Sequence, residues 1–278
     1  MPILNKDMQV CISLSARPSN LGTRFHNFLY DELGLNFVYK AFSTNDLEGA
    51  IRGMRALNFR GCSVSMPFKE DAIALVDKMA PSALAIESVN TIVNDNGALT
   101  ASNTDYEAVL TLLKERNLSV GSAVLVRGSG GMAKAVVAAF RDAGFTNLTV
   151  MARNEASGRS LASKYGFSFT TPELLDTALA AADPFDVLVN VTPIGMSGAN
   201  ESELAFSRDL IERSSTIFDV VAFPSETPLI QAGTAAGKTI ITGAEVIALQ
   251  AALQFEAYTG VTLTASQVQR ASDFSRQD

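Results

Sequence analysis

The chain has 278 residues, a length that suits roughly two domains of about 100–200 residues each. Apolar residues make up 47% and charged residues 18%, an ordinary globular composition that excludes a disordered chain. The net charge is −7 with the two signs interspersed, and no run of Lys or Arg is present to track a phosphate backbone, so nucleic acid is not an expected partner.

Short apolar runs alternate with longer amphipathic ones, which predicts an α/β protein with largely parallel sheets. Strands are expected at residues 10–14 and 36–42, with helices at 23–33 and 47–56. A third strand, 61–65, stops at Met66-Pro67, because proline has no amide hydrogen to give to a ladder. Residues 90–93 and 98–101 flank Asn94-Asp95-Asn96-Gly97, a hairpin signal. A helix at 106–116 leads into a second unit of strand 123–126, glycine turn, helix 133–143 and strand 147–151. Further strands are expected at 187–190, 216–220 and 238–241, then a helix at 244–259 and a polar helix at the end of the chain. The opening residues lack a basic stretch followed by an apolar one, so no signal peptide is expected. No window reaches the ~18 consecutive apolar residues of a membrane span, and the cytoplasm is the expected location. Cys11 and Cys62 are the only cysteines and His26 the only histidine, too few for a disulfide framework or a Cys- or His-based metal site, so no metal is expected.

The segment Ser122-Ala-Val-Leu-Val-Arg-Gly128-Ser129-Gly130-Gly131-Met132-Ala133 reads as a strand that ends in a glycine turn and opens a helix. Gly128, Gly130 and Ala133 have the G-x-G-x-x-G/A spacing of dinucleotide-binding folds. The first glycine permits the turn, the second lets the backbone approach a pyrophosphate, and the small third position lets helix and strand pack closely. The helix N-terminus then favours the anion. A tight structural turn is the alternative. At the end of the next strand an acidic residue would bond the ribose hydroxyl of NAD, whereas an arginine accommodates the phosphate of NADP. The sequence offers Ala152-Arg153-Asn154, which favours NADP over NAD, unless Arg153 is only a solvated strand-end charge.

Reducing a carbonyl by hydride leaves an alkoxide that must receive a proton. Lys69 follows the strand exit and Asp105 precedes the helix that leads into the second unit. Desolvation lowers a lysine pKa and a carboxylate raises it, so such a pair can shuttle a proton. On spacing alone, Lys69 could equally be a solvated charge and Asp105 an N-cap.

Taken in order along almost the whole chain, these motifs resemble the shikimate dehydrogenase family. Gly61-Cys-Ser63-Val-Ser65-Met-Pro-Phe-Lys69 is similar to its G-x-N-V-T-x-P-x-K segment, Val89-Asn90-Thr91 to V-N-T, and Asn103-Thr104-Asp105 to N-T-D. Asn190-Val-Thr192-Pro-Ile-Gly195-Met196 resembles N-A-T-S-x-G-M, and Pro224-Ser-Glu-Thr227-Pro228-Leu229 resembles P-x-x-T-P-L. Gln250 through Phe255 to Tyr258-Thr259-Gly260 resembles the closing Q-x-x-x-x-F-x-x-W-T-G.

The resemblance implies two domains. Residues 1–105 with 240–278 form an α/β substrate-binding and catalytic domain, and 106–239 a doubly wound Rossmann domain. It implies the reversible, NADP-linked interconversion of 3-dehydroshikimate and shikimate, a step of aromatic amino acid biosynthesis. Lys69 and Asp105 correspond to the catalytic pair, and Ser65, Asn90, Gln250 and Asn20 to substrate contacts. Gly128, Ser129, Gly130, Gly131, Met132, Ala133, Arg153, Thr192, Gly195, Met196, Val220 and Gly243 fall on the cofactor side. Read without the resemblance, Gln250 is an ordinary helix polar residue, Asn190 and Thr192 satisfy turn amides, and His26 is structural.

The departures concern the substrate. Aligned on His26-Asn27, the family's S-x-S-P-x-x-H-N loop is Asn20-Leu-Gly22-Thr23-Arg24-Phe-His26-Asn27, without either serine. Ser13 and Ser15, Ser19, or the cations Arg17 and Arg24 are alternatives for gripping a carboxylate. Ala222 stands where the family has tyrosine, and N-R-T keeps only Arg153. One lost buried hydrogen bond costs about 1–3 kcal/mol, enough to move substrate preference. The combination resembles the shikimate dehydrogenase-like branch. The expected substrate is shikimate or a related cyclic hydroxy-carboxylate, in a monomer or homodimer. An NAD-linked quinate dehydrogenase and a non-catalytic NADP-binding relative are the competing readings.

Overall fold

The computed structural model describes residues 4–178 and 185–277. They fall into two compact units, one ending at Glu107 and resuming at Ala248, the other Ala108–Ile247.

The first segment runs β1 (Gln9–Ser15), α1 (Leu21–Glu32), β2 (Phe37–Ser43), α2 (Leu47–Ala56), β3 (Gly61–Val64), a 3-10 turn (Asp71–Leu75), β4 (Lys78–Met79), α3 (Pro81–Ile86), β5 (Thr91–Asp95) and β6 (Ala98–Ser102). Helix α4 (Thr104–Glu115) carries the chain into the second unit: β7 (Val124–Arg127), α5 (Gly131–Asp142), β8 (Leu148–Met151), α6 (Glu155–Tyr165), β9 (Ser168–Thr170), α7 (Pro172–Ala178), β10 (Val187–Asn190), α8 (Arg208–Arg213), β11 (Thr216–Asp219), α9 (Pro228–Ala235) and β12 (Thr239–Thr242). Helix α10 (Gly243–Thr259) returns it to the first, which α11 (Ala265–Arg276) completes. No helix among the described residues is long and apolar enough to cross a membrane.

The first unit holds a sheet ordered β2-β1-β3-β5-β6-β4. β1 pairs in parallel with β2 and β3, whereas β5 runs antiparallel to both β3 and β6. The β5–β6 reversal is the hairpin expected from the sequence, and its cause is local. Asn96 and Gly97 take positive φ (+52° and +94°) in a two-residue turn, braced by Asn94 Oδ1 accepting from the Gly97 amide at 2.7 Å. Alternation along the strands divides the sheet's faces. Ile12, Leu14, Cys62 and Val64 pack with Ile51 and Met54 of α2, while Cys11 and Tyr39 pack with Phe25 and Leu29 of α1 and Phe255 and Tyr258 of α10. His26 is fully buried on that second face, stacked on Tyr39 at 4.4 Å. Burial pushes its pKa down to about 3, against a smaller opposing influence from Gln254.

The second unit's sheet runs β12-β11-β10-β7-β8-β9, and every pair is parallel. This is the doubly wound order, and its reversal point lies between β7 and β10, where ligands of such folds bind at the strands' carboxyl ends. Leu125, Leu188 and Ile217 pack with Leu210 of α8 and Ile230 of α9.

Three predictions follow from this packing. A Cβ on Gly61 would lie 2.3 Å from the Tyr258 ring, whereas one on Gly53, inside α2, meets nothing within 4 Å. Gly61→Ala is expected to lose roughly 1–3 kcal/mol of unfolding free energy in urea titration, and Gly53→Ala to gain about 0.5–1 kcal/mol. For His26 the folded pKa lies below the unfolded one, so the unfolded chain takes up a proton that the folded chain refuses. Stability relative to His26→Phe is therefore constant above pH 6.5 and falls as the pH drops toward 3, by about 1.4 kcal/mol per unit. A pH-independent difference between the two proteins in urea titrations would refute this.

Candidate active site

The segment that leaves β3 carries Lys69, and the first turn of α4 carries Asp105. Lys69 Nζ donates to Asp105 Oδ2 at 2.5 Å, with the two side chains 28% and 19% exposed. A helix N-terminus favours a carboxylate, which suits Asp105. Residues 88–90 stitch the pair's two backbones together. The Val89 amide donates to the Lys69 carbonyl at 2.8 Å, and Asn103 Nδ2 donates to the Ser88 carbonyl at 3.0 Å. Asn90 Oδ1 accepts from the Thr104 amide at 2.8 Å.

Asn90 is buried and central. Its Nδ2 donates to Thr104 Oγ1 at 3.0 Å, and Thr104 Oγ1 lies 3.4 Å from Gln250 Oε1 on α10. Lys69, Asp105, Asn90 and Gln250, far apart in sequence, thus belong to one constellation. Sequence reading passed over the buried residues Thr104, Thr91 and Gln254 that connect it. Thr104 and Thr91 lie inside motifs already read, and Gln254 follows Gln250 by one helical turn, so spacing was the available signal.

Ser65 is exposed in the turn before Lys69, where its carbonyl accepts the Phe68 amide at 3.0 Å. Asn20 is the exposed N-cap residue of α1, and its side chain makes no cap hydrogen bond. Arg24 is turned to α11, donating to the Phe274 carbonyl at 3.2 Å and lying over its ring at 4.7 Å. Ser15 is buried, Ser13 half-buried, and Arg17 and Ser19 exposed.

In the second unit a cavity of about 710 Å³ is lined by Gly128, Ser129, Gly130, Arg153 and Thr192, among others. Gly128 has φ +124°, and a Cβ there would press on Val191 at 2.8 Å. A Cβ on Gly130 or Gly131 would meet nothing within 4 Å, so the N-terminus of α5 is open to a ligand. Ala133 is fully buried, as the third position of the glycine turn requires, while Met132 is half-buried. Arg153 is exposed at the end of β8. Ser157 Oγ donates to the Ser129 carbonyl at 3.0 Å, which ties α6 to the turn.

Thr192 is fixed by Asn190, whose Oδ1 accepts the Thr192 hydroxyl at 2.6 Å and amide at 3.1 Å. Asn190 Nδ2 in turn donates to buried Asp219 at 3.0 Å, and Thr227 donates to Asp219 at 2.7 Å. Burial raises the Asp219 pKa to about 6, with Thr227, Val221 and Asn190 opposing. Gly195 has φ +87° and Met196 is exposed. A Cβ on Gly243 would lie 2.3 Å from the Val220 carbonyl oxygen, so the start of α10 rests directly on the backbone after β11.

Residues 18–92 match the model of the shikimate dehydrogenase substrate binding domain, and residues 110–224 that of shikimate / quinate 5-dehydrogenase. The chain is 54% identical to a shikimate dehydrogenase-like protein of Haemophilus influenzae over 99% of each sequence. It is 34% identical to the shikimate dehydrogenase (NADP(+)) of Chlorobaculum tepidum over 88% of each. A solved structure of a shikimate 5-dehydrogenase-like protein matches with TM-score 0.95 and 53% identity, covering 99% of this chain and 100% of that one. The Thermus thermophilus shikimate 5-dehydrogenase in complex with NADP(H) and shikimate matches with TM-score 0.84 and 30% identity, covering 96% and 100%. The chain belongs to the shikimate dehydrogenase family of oxidoreductases, in its shikimate dehydrogenase-like branch.

Proposed function

We propose that the protein catalyses reversible, NADP-linked hydride transfer on a cyclic hydroxy acid, 3-dehydroshikimate and shikimate or a close relative. The observation that carries this reading is the 2.5 Å contact of Lys69 with Asp105. A protein that only bound nucleotide would have no use for a half-buried proton donor of this kind. In this reading residues 1–105 with 240–278 hold the ring acid and 106–239 hold the nucleotide.

When bound, NADPH supplies the hydride. Lys69 gives its proton to the alkoxide oxygen that forms, and Asp105 holds the ammonium in place. In the oxidative direction the neutral Lys69 amine takes the hydroxyl proton back. Asn90 and Gln250 orient the ring through its hydroxyls. The residues around the glycine turn fit a dinucleotide: α5 begins at an open N-terminus, and Arg127 and Arg153 line the cavity beside it.

Two experiments test this reading. Lys69→Ala should lower kcat/KM on the best ring acid by about 10²–10⁴-fold while NADP binding, followed by nucleotide fluorescence, stays intact. Residual activity indifferent to that change, or no turnover of any shikimate- or quinate-like acid by the wild type, rejects the enzyme reading. Arg153→Ala should weaken NADP by roughly 10–100-fold, the loss of a charged hydrogen bond, and leave NAD affinity unchanged. Equal effects on both nucleotides would contradict the NADP assignment.

A further inference from the structure

Arg127 ends β7, one residue before the first glycine of the turn. Strand alternation places its side chain on the face of Leu125, which shares a buried cluster with Ala205 and Phe206. There Arg127 Nη1 donates to the Ala205 carbonyl. The backbone carbonyl of the same residue accepts the Val191 amide at 3.0 Å. One residue thus holds both ends of the segment 191–205, which leaves β10 and returns toward α8. That segment gives Val191, Thr192, Pro193, Ile194 and Asn200 to the wall of the cavity that the glycine turn and Arg153 also line.

The two halves of the segment are held differently. In the outgoing half, Asn190 Nδ2 donates to the Ile194 carbonyl at 3.0 Å and Asn190 Oδ1 accepts the Thr192 amide at 3.1 Å. The Ser197 amide donates to the Phe223 carbonyl at 2.9 Å. The return half has less. The Asn200 carbonyl accepts the Gly195 and Glu203 amides at 2.9 and 3.1 Å, both from within the segment. Among the described residues, the Arg127 guanidinium is the one polar group from outside the segment that reaches residues 200–206, and no backbone amide donates to the Ala205 carbonyl. Ala205 is buried, and an acceptor left unpaired there costs about 1–3 kcal/mol. Without Arg127 the return half relieves that cost by moving the carbonyl toward water, and Asn200 moves with it.

We infer that Arg127 is a positioning residue that straps segment 191–205 to β7 and keeps the cavity wall in its nucleotide-binding shape. The wall residues it places carry no charge, so they serve the parts that NADP and NAD share. The strap therefore sets affinity for a dinucleotide as such, whereas Arg153 sets the choice between the two. The inference rests on the reading of this cavity as the nucleotide site.

The test compares Arg127→Met and Arg127→Gln, which both remove the long donor, with Arg127→Lys, which keeps the charge and a donor. In the ligand-free protein, the amides of residues 200–206 should exchange with solvent about fivefold faster or more in the Met and Gln variants, with those of β8 and α5 unchanged. Unchanged exchange at 200–206 overturns the strap even if nucleotide binding suffers, because a residue that only touches the ligand has no effect in its absence. In kinetics, the KM values for NADP and NAD should rise together by about tenfold, the equivalent of about one hydrogen bond, with the ring-acid KM at saturating nucleotide unchanged. The Lys variant should stay within about threefold of wild type in both measurements. A loss confined to NADP assigns Arg127 to the phosphate and overturns the proposal, and so does faster exchange with an unchanged nucleotide KM. A wild type that binds neither nucleotide rejects the proposed function instead, and the exchange of residues 200–206 then decides by itself whether Arg127 straps the segment.

Discussion

An ammonium and a carboxylate 2.5 Å apart and mostly out of solvent attract each other strongly, but both surrender hydration to meet. Such a pair is maintained only where the backbone fixes both ends in advance, since the entropy of holding two side chains together otherwise cancels much of the gain. Here a single short segment does the fixing. Ser88, Val89 and Asn90 bind, in turn, the side chain of Asn103, the backbone of Lys69 and the backbone of Thr104. Asn90 also joins β3 to β6 through its own backbone, accepting from Val64 at 2.8 Å and donating to Ser102 at 3.1 Å. The antiparallel β5 that follows lets one segment reach both the exit of β3 and the entry of α4. The reversal of direction in the sheet is therefore what brings Lys69 and Asp105 within reach of each other.

The second unit meets a different constraint: it must attract anions although the chain as a whole is acidic. The cavity at the glycine turn is lined by two arginines, Arg127 and Arg153, beside the open start of α5. The loop after β10 is held by a buried carboxylate. Desolvation alone would favour the neutral form of Asp219, yet Thr227, Asn190 and the Val221 amide all donate to it. Those three donors come from the end of β10, the turn after β11 and the cap of α9, so the carboxylate fixes three backbones at one point.

Much of this was legible in the sequence where a local rule decides the outcome. The strands β10 and the helix α2 fall at the residues that periodicity predicts, and the hairpin follows from Asn96-Gly97. The glycine turn stands at the carboxyl end of β7, and its open helix start matches the spacing of its glycines. Several short elements went unread. Helices α3, α6, α8 and α9 carry recognisable starts: Pro81 and Pro228 at first positions, and Asn154, Ser207 and Thr227 as caps. Helices α3, α8 and α9 are too short to register as a period, and α6 buries small residues, Gly158 and Ala162, beside Leu161 and Tyr165. The connections made by Gln254 and Thr104 lay beyond local reading, because the partners of a buried amide on α10 are chosen by the sheet it packs on.

The altered substrate loop is also a packing feature. Gly22, where the family pattern has serine, lies over Tyr39, and a Cβ there would stand 3.4 Å from the phenol oxygen and 3.6 Å from the ring. That is ordinary contact, so the site has room for a methyl but a hydroxyl beyond it must compete with the phenol for the same space. Tyr39 has little freedom to withdraw, since it is buried and its ring is stacked on His26 at 4.4 Å. Ser63 is itself a departure from the family pattern and takes a hydrogen bond from Gln254. The altered position on β3 is thus tied to α10 through Ser63, and the altered loop position rests on Tyr39 of β2, so the sheet and what packs on it back both.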